Sequence, residues 1–103
     1  MIDALVTSSL HQNFPNPFNP STTISFNLTA EHSEDADLMI YNIKGQQIKQ
    51  YSISNNQCAT AHKYSIVWDG TDDNGKSVSS GVYFYKLKAG DIDTQTRKMI
   101  LMK

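Results

Sequence analysis

Hydrophobic and polar positions alternate along most of this chain, with a period of two. From Thr22 to Leu28, Ile24, Phe26 and Leu28 fall on one face and Ser25 and Asn27 on the other, which predicts a half-buried strand. Ala36, Leu38 and Ile40 repeat the pattern, and "NIKG" follows, with Asn42 suited to the first and Gly45 to the last position of a type I turn. A hairpin is therefore predicted, returning through Ile48 to Ile53. Tyr64, Ile66 and Trp68 share a face opposite Lys63, Ser65 and Val67, so the lone tryptophan is placed in the core, with Ile24, Phe26, Tyr83 and Tyr85 as neighbours. Tyr83, Tyr85 and Leu87 alternate with Phe84, Lys86 and Lys88, and the lysines mark the second face as the solvated one. A tight Gly-Asp turn of the II′ kind is predicted between Ala89 and Ile92, followed by a last strand from about Thr94 to Met102. Glu31 to Asp35 reads as a solvated loop. Six or seven short strands with no clear helix describe an all-β, antiparallel sandwich or small barrel, of which the sandwich is favoured.

"NFPNPFNP", Asn13 to Pro20, holds all three prolines of the chain and two of its four phenylalanines. Proline fixes φ, donates no backbone hydrogen bond and disfavours helix before it, so this stretch is extended and cannot be a central strand. It can lie along a sheet edge, with Phe14 and Phe18 anchored between the sheets. A stiff linker is the bland alternative, but linkers seldom carry paired phenylalanines. Residues 1–12 read as a linker or remnant of a longer chain and 13–103 as one domain.

Charge and chemistry narrow the function classes. Nine basic and ten acidic residues leave a formal net charge of −1, which offers no field to gather nucleic acid or anionic lipid. No apolar run is long enough to span a membrane, and the N-terminus lacks the basic and apolar regions of a signal peptide. One cysteine, Cys58, excludes an intrachain disulfide; in a polar loop it could serve as a reactive thiol if exposed, but no basic neighbour nearer than His62 or Lys63 is there to lower its pKa, and it reads as incidental. "DGTDDNGK" is turn chemistry. Counted as a calcium loop from Asp69, its glycine comes one place late, at Gly75, and Ser80 stands where a bidentate glutamate is needed. Asp69, Asp72 and Asp73 remain weak candidates for a looser site, against the reading that their carboxylates bond nearby amides. His11, His32 and His62 have no metal-ligand spacing, no nucleophile motif accompanies His62 and Asp69, and the sequon Asn27-Leu28-Thr29 falls inside a predicted strand. No enzymatic activity and no cofactor are expected.

"NFPNPFNPSTTISFNL", "IYNIKGQQI", "WDGTDDNGKSVSSGVYFYKLKAG" and "TRKMILMK", in that order, resemble the C-terminal sorting domains of the bacterial type IX secretion system, type A. Those domains are similar to the immunoglobulin-like domain of the flagellar hook-capping protein. The matching positions are Pro15, Asn16, Pro17, Phe18, Asn19 and Pro20, then Gly45, then Trp68, Asp69 and Gly70, then Gly81, Val82 and Tyr83, and at the end Lys98 to Lys103. The polar segment from Ser54 to Tyr64 departs from the family's usual small-residue connection.

The resemblance implies an immunoglobulin- or fibronectin-like β-sandwich of about seven strands that acts as a sorting signal. It would be attached to an N-terminal cargo, recognised in the periplasm by the outer-membrane secretion machinery, and often cut at the cell surface by that machinery's peptidase. The cargo then ends at the cell surface or outside the cell. The expected recognition element is the terminal strand with its basic flanks: Arg97, Lys98, Met99, Ile100, Leu101, Met102 and Lys103. With Met99 and Leu101 on one face and Ile100 and Met102 on the other, it is expected to offer an open edge to a partner's sheet. Two rival readings are a carbohydrate-binding or adhesive module of a secreted enzyme and an inert spacer. Against the first, Phe84 is the one ring firmly expected to point outward, with Tyr41 and Tyr51 undecided, and a sugar-binding face needs a row of them.

Overall fold

The computed structural model describes residues 9–28, 36–53, 58–60, 63–89, 92–93 and 96–103. Within them the strands are β1 (Ser9–Leu10), β2 (Thr22–Asn27), β3 (Ala36–Tyr41), β4 (Gln47–Ile53), β5 (Cys58–Thr60), β6 (Lys63–Trp68), β7 (Gly81–Ala89), β8 (Ile92–Asp93) and β9 (Arg97–Leu101), and no helix occurs among the described residues. One sheet has the order β1-β2-β6-β5. The other has β4-β3-β7, with β8 and β9 following one another along the far edge of β7. All these ladders are antiparallel. The result is the expected sandwich of immunoglobulin type.

The period-two pattern decides which side chains meet. β6 alternates strictly between exposed and buried, and β2 does so between buried and half-buried. Ile24, Phe26, Tyr64, Ile66 and Trp68 from one sheet thus face Leu38, Ile40, Tyr83, Tyr85, Leu87, Met99 and Leu101 from the other in a single core. Burying each large apolar side chain contributes about 1.5–3 kcal/mol relative to leaving it in water. Phe26 stacks on Tyr64 at 5.6 Å, and Trp68 meets the edge of Tyr83 at 5.4 Å. The indole N–H of Trp68 donates to the Thr71 carbonyl at 2.8 Å, so no polar atom of the ring is stranded by its burial.

Asn42 and Gly45 close the β3–β4 hairpin, the Gly45 amide donating to the Asn42 carbonyl at 2.9 Å. The last ladder divides into β8 and β9, and Ala89 pairs with Ile92. The Gly-Asp turn between those two, the loop at residues 31–35 and the segment 54–57 lie outside the described residues. Among the described residues pairing begins at Ser9, ahead of Asn13: Leu10 is buried and sits opposite Phe26.

Candidate recognition surface

The proline-rich segment does more than line one edge. Starting from β1, the chain follows the free side of β2. The His11 amide donates to the Ser25 carbonyl, and Phe14 and Thr23 exchange two backbone bonds of 3.0 and 2.9 Å. Four residues later the chain has crossed to the other sheet. There the Phe18 amide donates to the Ile100 carbonyl at 3.0 Å and the Phe18 carbonyl accepts from the Met102 amide at 2.9 Å, a parallel bridge opposite Leu101. Pro15 and Pro17 fall between these contacts and Pro20 after them, ahead of β2, where a missing N–H costs no ladder bond.

This crossing separates the two phenylalanines and corrects the expectation that both anchor the segment. Phe18 is 2% exposed and packs against Trp68 at 5.7 Å, whereas Phe14 is 79% exposed. Paired residues share a face: Phe14 lies opposite Thr23, which lies opposite the exposed Val67, so its ring sits on the outer face of that sheet. The buried partner in its place is Asn13. Its amide donates to the Thr22 hydroxyl at 2.9 Å and to the Pro15 carbonyl at 3.2 Å, and the Thr22 hydroxyl donates to that same carbonyl at 2.8 Å. Sequence reasoning missed this network; a polar pair at the two ends of a proline-rich turn was the available signal.

The terminal strand is fastened to the same segment by side chains. Arg97 Nε donates to the Leu10 carbonyl and Gln12 Nε2 to the Lys98 carbonyl, both at 2.8 Å, while Asn16 Oδ1 accepts from the Ile100 amide at 3.0 Å. The Tyr85 hydroxyl donates to the His11 carbonyl at 2.7 Å, and burial raises its pKa. The open edge expected on β9 is therefore absent: the N–H and C=O of Ile100 and the N–H of Met102 are all engaged within the chain. Met99 and Leu101 are wholly buried, Arg97 and Ile100 are half-buried, and Lys98, Met102 and Lys103 are exposed. Across the outer face of this sheet, Ile100 pairs with Val82, and Lys98 with Phe84, which in turn faces Tyr41. All four rings and aliphatic chains, Tyr41, Val82, Phe84 and Ile100, are half-buried, and the Lys86 ammonium lies 5.9 Å from the Tyr41 ring. An apolar patch edged by lysines results.

The aspartates of the 69–77 loop hold the loop itself. Asp69 accepts from the Thr71 hydroxyl at 2.6 Å, which lowers its pKa despite partial desolvation. Asp72 Oδ1 accepts from the amides of Asn74 and Lys76. Asp73 covers the outer edge of β4: its amide donates to the Ile48 carbonyl at 3.0 Å and its carboxylate accepts from the Gln50 amide at 3.3 Å. Among the described residues no group of three His, Cys, Asp or Glu side chains could hold a metal ion. Tyr51 nearby is pushed up to about 12 by burial and then by the charges of Asp69 and Asp73.

Two turns in the chain are built alike. Asn42 Oδ1 accepts from the amides two and four residues on, Lys44 and Gln46, as Asp72 Oδ1 does from Asn74 and Lys76. The fourth residue is glycine in both, Gly45 at φ +82° and Gly75 at +81°. An Asx residue three places before glycine was the readable signal for this repeated turn. Gly70 has a different role: at φ +78° it brings the backbone against Pro20, whose carbonyl oxygen would lie 3.3 Å from any Cβ placed there. "WDG" thus combines a core ring, a loop clasp and a site of contact with the proline segment.

Of the remaining sequence readings, His11 is exposed, while His32, His62, Thr29 and the Cys58 side chain lie outside the described residues. No helix among the described residues is long and apolar enough to cross a membrane.

An immunoglobulin-like sandwich that fastens its own N-terminal segment across both sheets is the class of module these features define. The family model for the secretion system C-terminal sorting domain matches residues 12–102. This chain belongs to that family, whose members are sorting signals for type IX secretion. No curated protein sequence matches it. Among solved structures, the chain is similar to dimeric latent PorU from Porphyromonas gingivalis, with a TM-score of 0.75 and 20% identity over 99% of this chain and 10% of that one. It is also similar to PorZ, an essential bacterial surface component of the type IX secretion system of the same organism, with a TM-score of 0.61 and 17% identity over 91% of this chain and 11% of that one. The chain spans about a tenth of the length of each, and at these identities the likeness is one of fold.

Proposed function

We propose that this domain directs an N-terminally attached cargo from the periplasm through the outer-membrane type IX machinery, and that the machinery reads the outward side chains of the terminal strand and their neighbours. The observation that carries this reading is the arrangement around β9. The Lys98 C=O, the Ile100 N–H and C=O and the Met102 N–H along its outer edge are already bonded within the chain, so recognition falls to side chains: Ile100 beside Val82, Lys98 beside Phe84, and Met102 and Lys103 beyond the strand. Half-buried apolar groups ringed by exposed lysines suit a protein partner with an apolar contact and an acidic rim. Met99 and Leu101 serve by holding the strand in the core, and Pro15 to Pro20 by closing its edge. A surface peptidase that removes the domain after export is part of the same proposal. A carbohydrate-binding role is disfavoured: Phe84 and Tyr41 are half-buried side by side rather than displayed as a row.

The test is a fusion of the full chain to a periplasmic reporter in a bacterium that has the type IX machinery. The wild-type fusion is expected at the cell surface or in the medium. Ile100→Thr combined with Met102→Thr is expected to fold, with unchanged Trp68 fluorescence, and to leave the reporter in the periplasm. Export of that folded variant at the wild-type level would remove the terminal strand from the recognition surface.

A further inference from the structure

Backbone pairing by a partner is closed at β9 but available elsewhere. Along β7 the direction of each peptide group is fixed by its neighbour. Ile100 turns its N–H and C=O towards Asn16 and Phe18, away from β7, so the Val82–Ile100 pair exchanges no bonds. Val82 must then point its own N–H and C=O to the opposite side, where β3 runs. The β3–β7 register ends at Tyr41 opposite Phe84, and at Asn42 the chain turns away towards β4. Val82 lies one hydrogen-bonding position beyond that end, with no ladder partner on this side among the described residues.

The space that β3 vacates is a groove of about 420 Å³ lined by Ile43, Lys44, Ile48, Val78, Val82 and Tyr83, among others. Ile43 is 70% exposed at its rim, an unusual position for isoleucine. The walls are fixed: the Tyr83 hydroxyl donates to the Ser79 carbonyl at 2.6 Å, and the doubly bonded Asn42 side chain holds the 42–46 turn. Lys44 is the charged residue of the lining, and it is exposed.

We propose that this groove binds a short extended peptide segment of a partner protein, added as a strand to the Val82 position of β7, with an aliphatic side chain against Ile43 and Val78 and an acidic residue beside Lys44. Unpaired N–H and C=O groups select an extended backbone, the apolar lining selects the aliphatic residue, and the single positive charge selects the acid. This site adjoins the outward face of β9 at Val82, whose side chain belongs to that face and whose backbone belongs to the groove, and it does not depend on how export proceeds.

The test is an amide-resolved NMR titration of the full chain with a blocked hexapeptide of alternating valine and glutamate. The expected result is a saturable shift confined to Val82, Gly81 and the Ile43–Lys44 turn, with slowed hydrogen exchange at the Val82 amide. The same peptide with N-methylated valines, the peptide with lysine in place of glutamate, and the Lys44→Glu variant are each expected to weaken binding at least about tenfold, a ratio that each lost polar contact can supply. Four results overturn the proposal: no saturable shift up to about 5 mM peptide, shifts centred elsewhere, binding undiminished by N-methylation, by lysine in place of glutamate or by Lys44→Glu, or the same shifts on concentrating the chain alone, which would make a second copy the occupant. None of them bears on the export of the fused reporter, so the two readings fail separately.

Discussion

Replacing Phe18 by alanine separates an anchored segment from a linker that merely lies against the domain. Phe18 is 2% exposed, and its ring packs on Trp68, which in turn meets Tyr83 in the core. Truncating a buried phenylalanine costs about 3–5 kcal/mol, and the lost Trp68 contact, worth about 0.5–1.5 kcal/mol beyond burial, places this site in the upper half of that range. A domain of this size has about 5–15 kcal/mol in total, and each kcal/mol moves the melting temperature by about 4–8 °C. Phe18→Ala should therefore melt well over ten degrees below wild type. Phe14→Ala is the internal control: the ring is exposed, its backbone bonds to Thr23 survive the change, and surface substitutions stay within about 0.5 kcal/mol.

Urea unfolding followed through Trp68 fluorescence reads both variants. If Phe18→Ala also detaches the segment from β9, less surface is exposed on unfolding, and the m-value falls together with the midpoint. An intact midpoint for Phe18→Ala, or an equal loss for Phe14→Ala, would refute the crossing of the segment from one sheet to the other.

Other expectations follow from individual groups. Asn13→Ala leaves the buried Thr22 hydroxyl short of a donor and the segment without its clasp, and should cost about 1–3 kcal/mol in the same urea assay; a change below about 0.5 kcal/mol would count against the network. Asp69 should titrate below the usual aspartate value of about 3.9, as followed by carboxyl-carbon NMR, and Thr71→Val should bring it back up, since the Thr71 hydroxyl is the main cause of the lowering. Because the folded-state pKa is the depressed one, its contribution to stability is present above the unfolded value and is lost as pH falls through the folded one. An unchanged titration in Thr71→Val would assign the lowering to another source.

How much of this was legible beforehand depended on whether the information lay in side-chain periodicity or in backbone partners. The buried faces of β2, β6 and β7 follow from alternation alone, because a one-residue slip would turn every core side chain to solvent. The turn at Asn42 and Gly45 follows from residue chemistry. The closing of edges does not, since every bond that closes one ends on a main-chain group that any residue carries, whether the other partner is backbone or side chain. Hence "NFPNPFNP" could be assigned to an edge but not divided between two, and Phe14 and Phe18 could not be told apart. For the same reason the aspartates of residues 69–77 read as a turn, while the docking of Asp73 on β4 was hidden: its partners, Ile48 and Gln50, are reached through their backbone atoms. The apolar run of β9 suggested an exposed edge because nothing in "TRKMILMK" tells that residues eighty positions earlier cover it.

That dependence of the last strand on the first residues has a consequence for where the domain begins. A chain starting at Asn13 keeps the whole proline segment but loses Leu10, which is buried against the core, and the carbonyls of Leu10 and His11 that accept from Arg97 and Tyr85. Burial of a leucine contributes about 1.5–3 kcal/mol, and the two stranded donors add to the loss. Residues 13–103 should thus be less stable than residues 9–103 by about 2–4 kcal/mol. A chain starting at Asn19 goes further, because it uncovers the edges of β2 and β9 together and removes the Phe18 ring; it is expected to aggregate or to fail to fold. Urea midpoints of the three chains order them directly. Equal midpoints for the chains beginning at Ser9 and Asn13 would place the boundary at Asn13 and reduce β1 to an accessory contact. A folded, monomeric chain beginning at Asn19 would show that the edges of this sandwich do not need the segment that covers them.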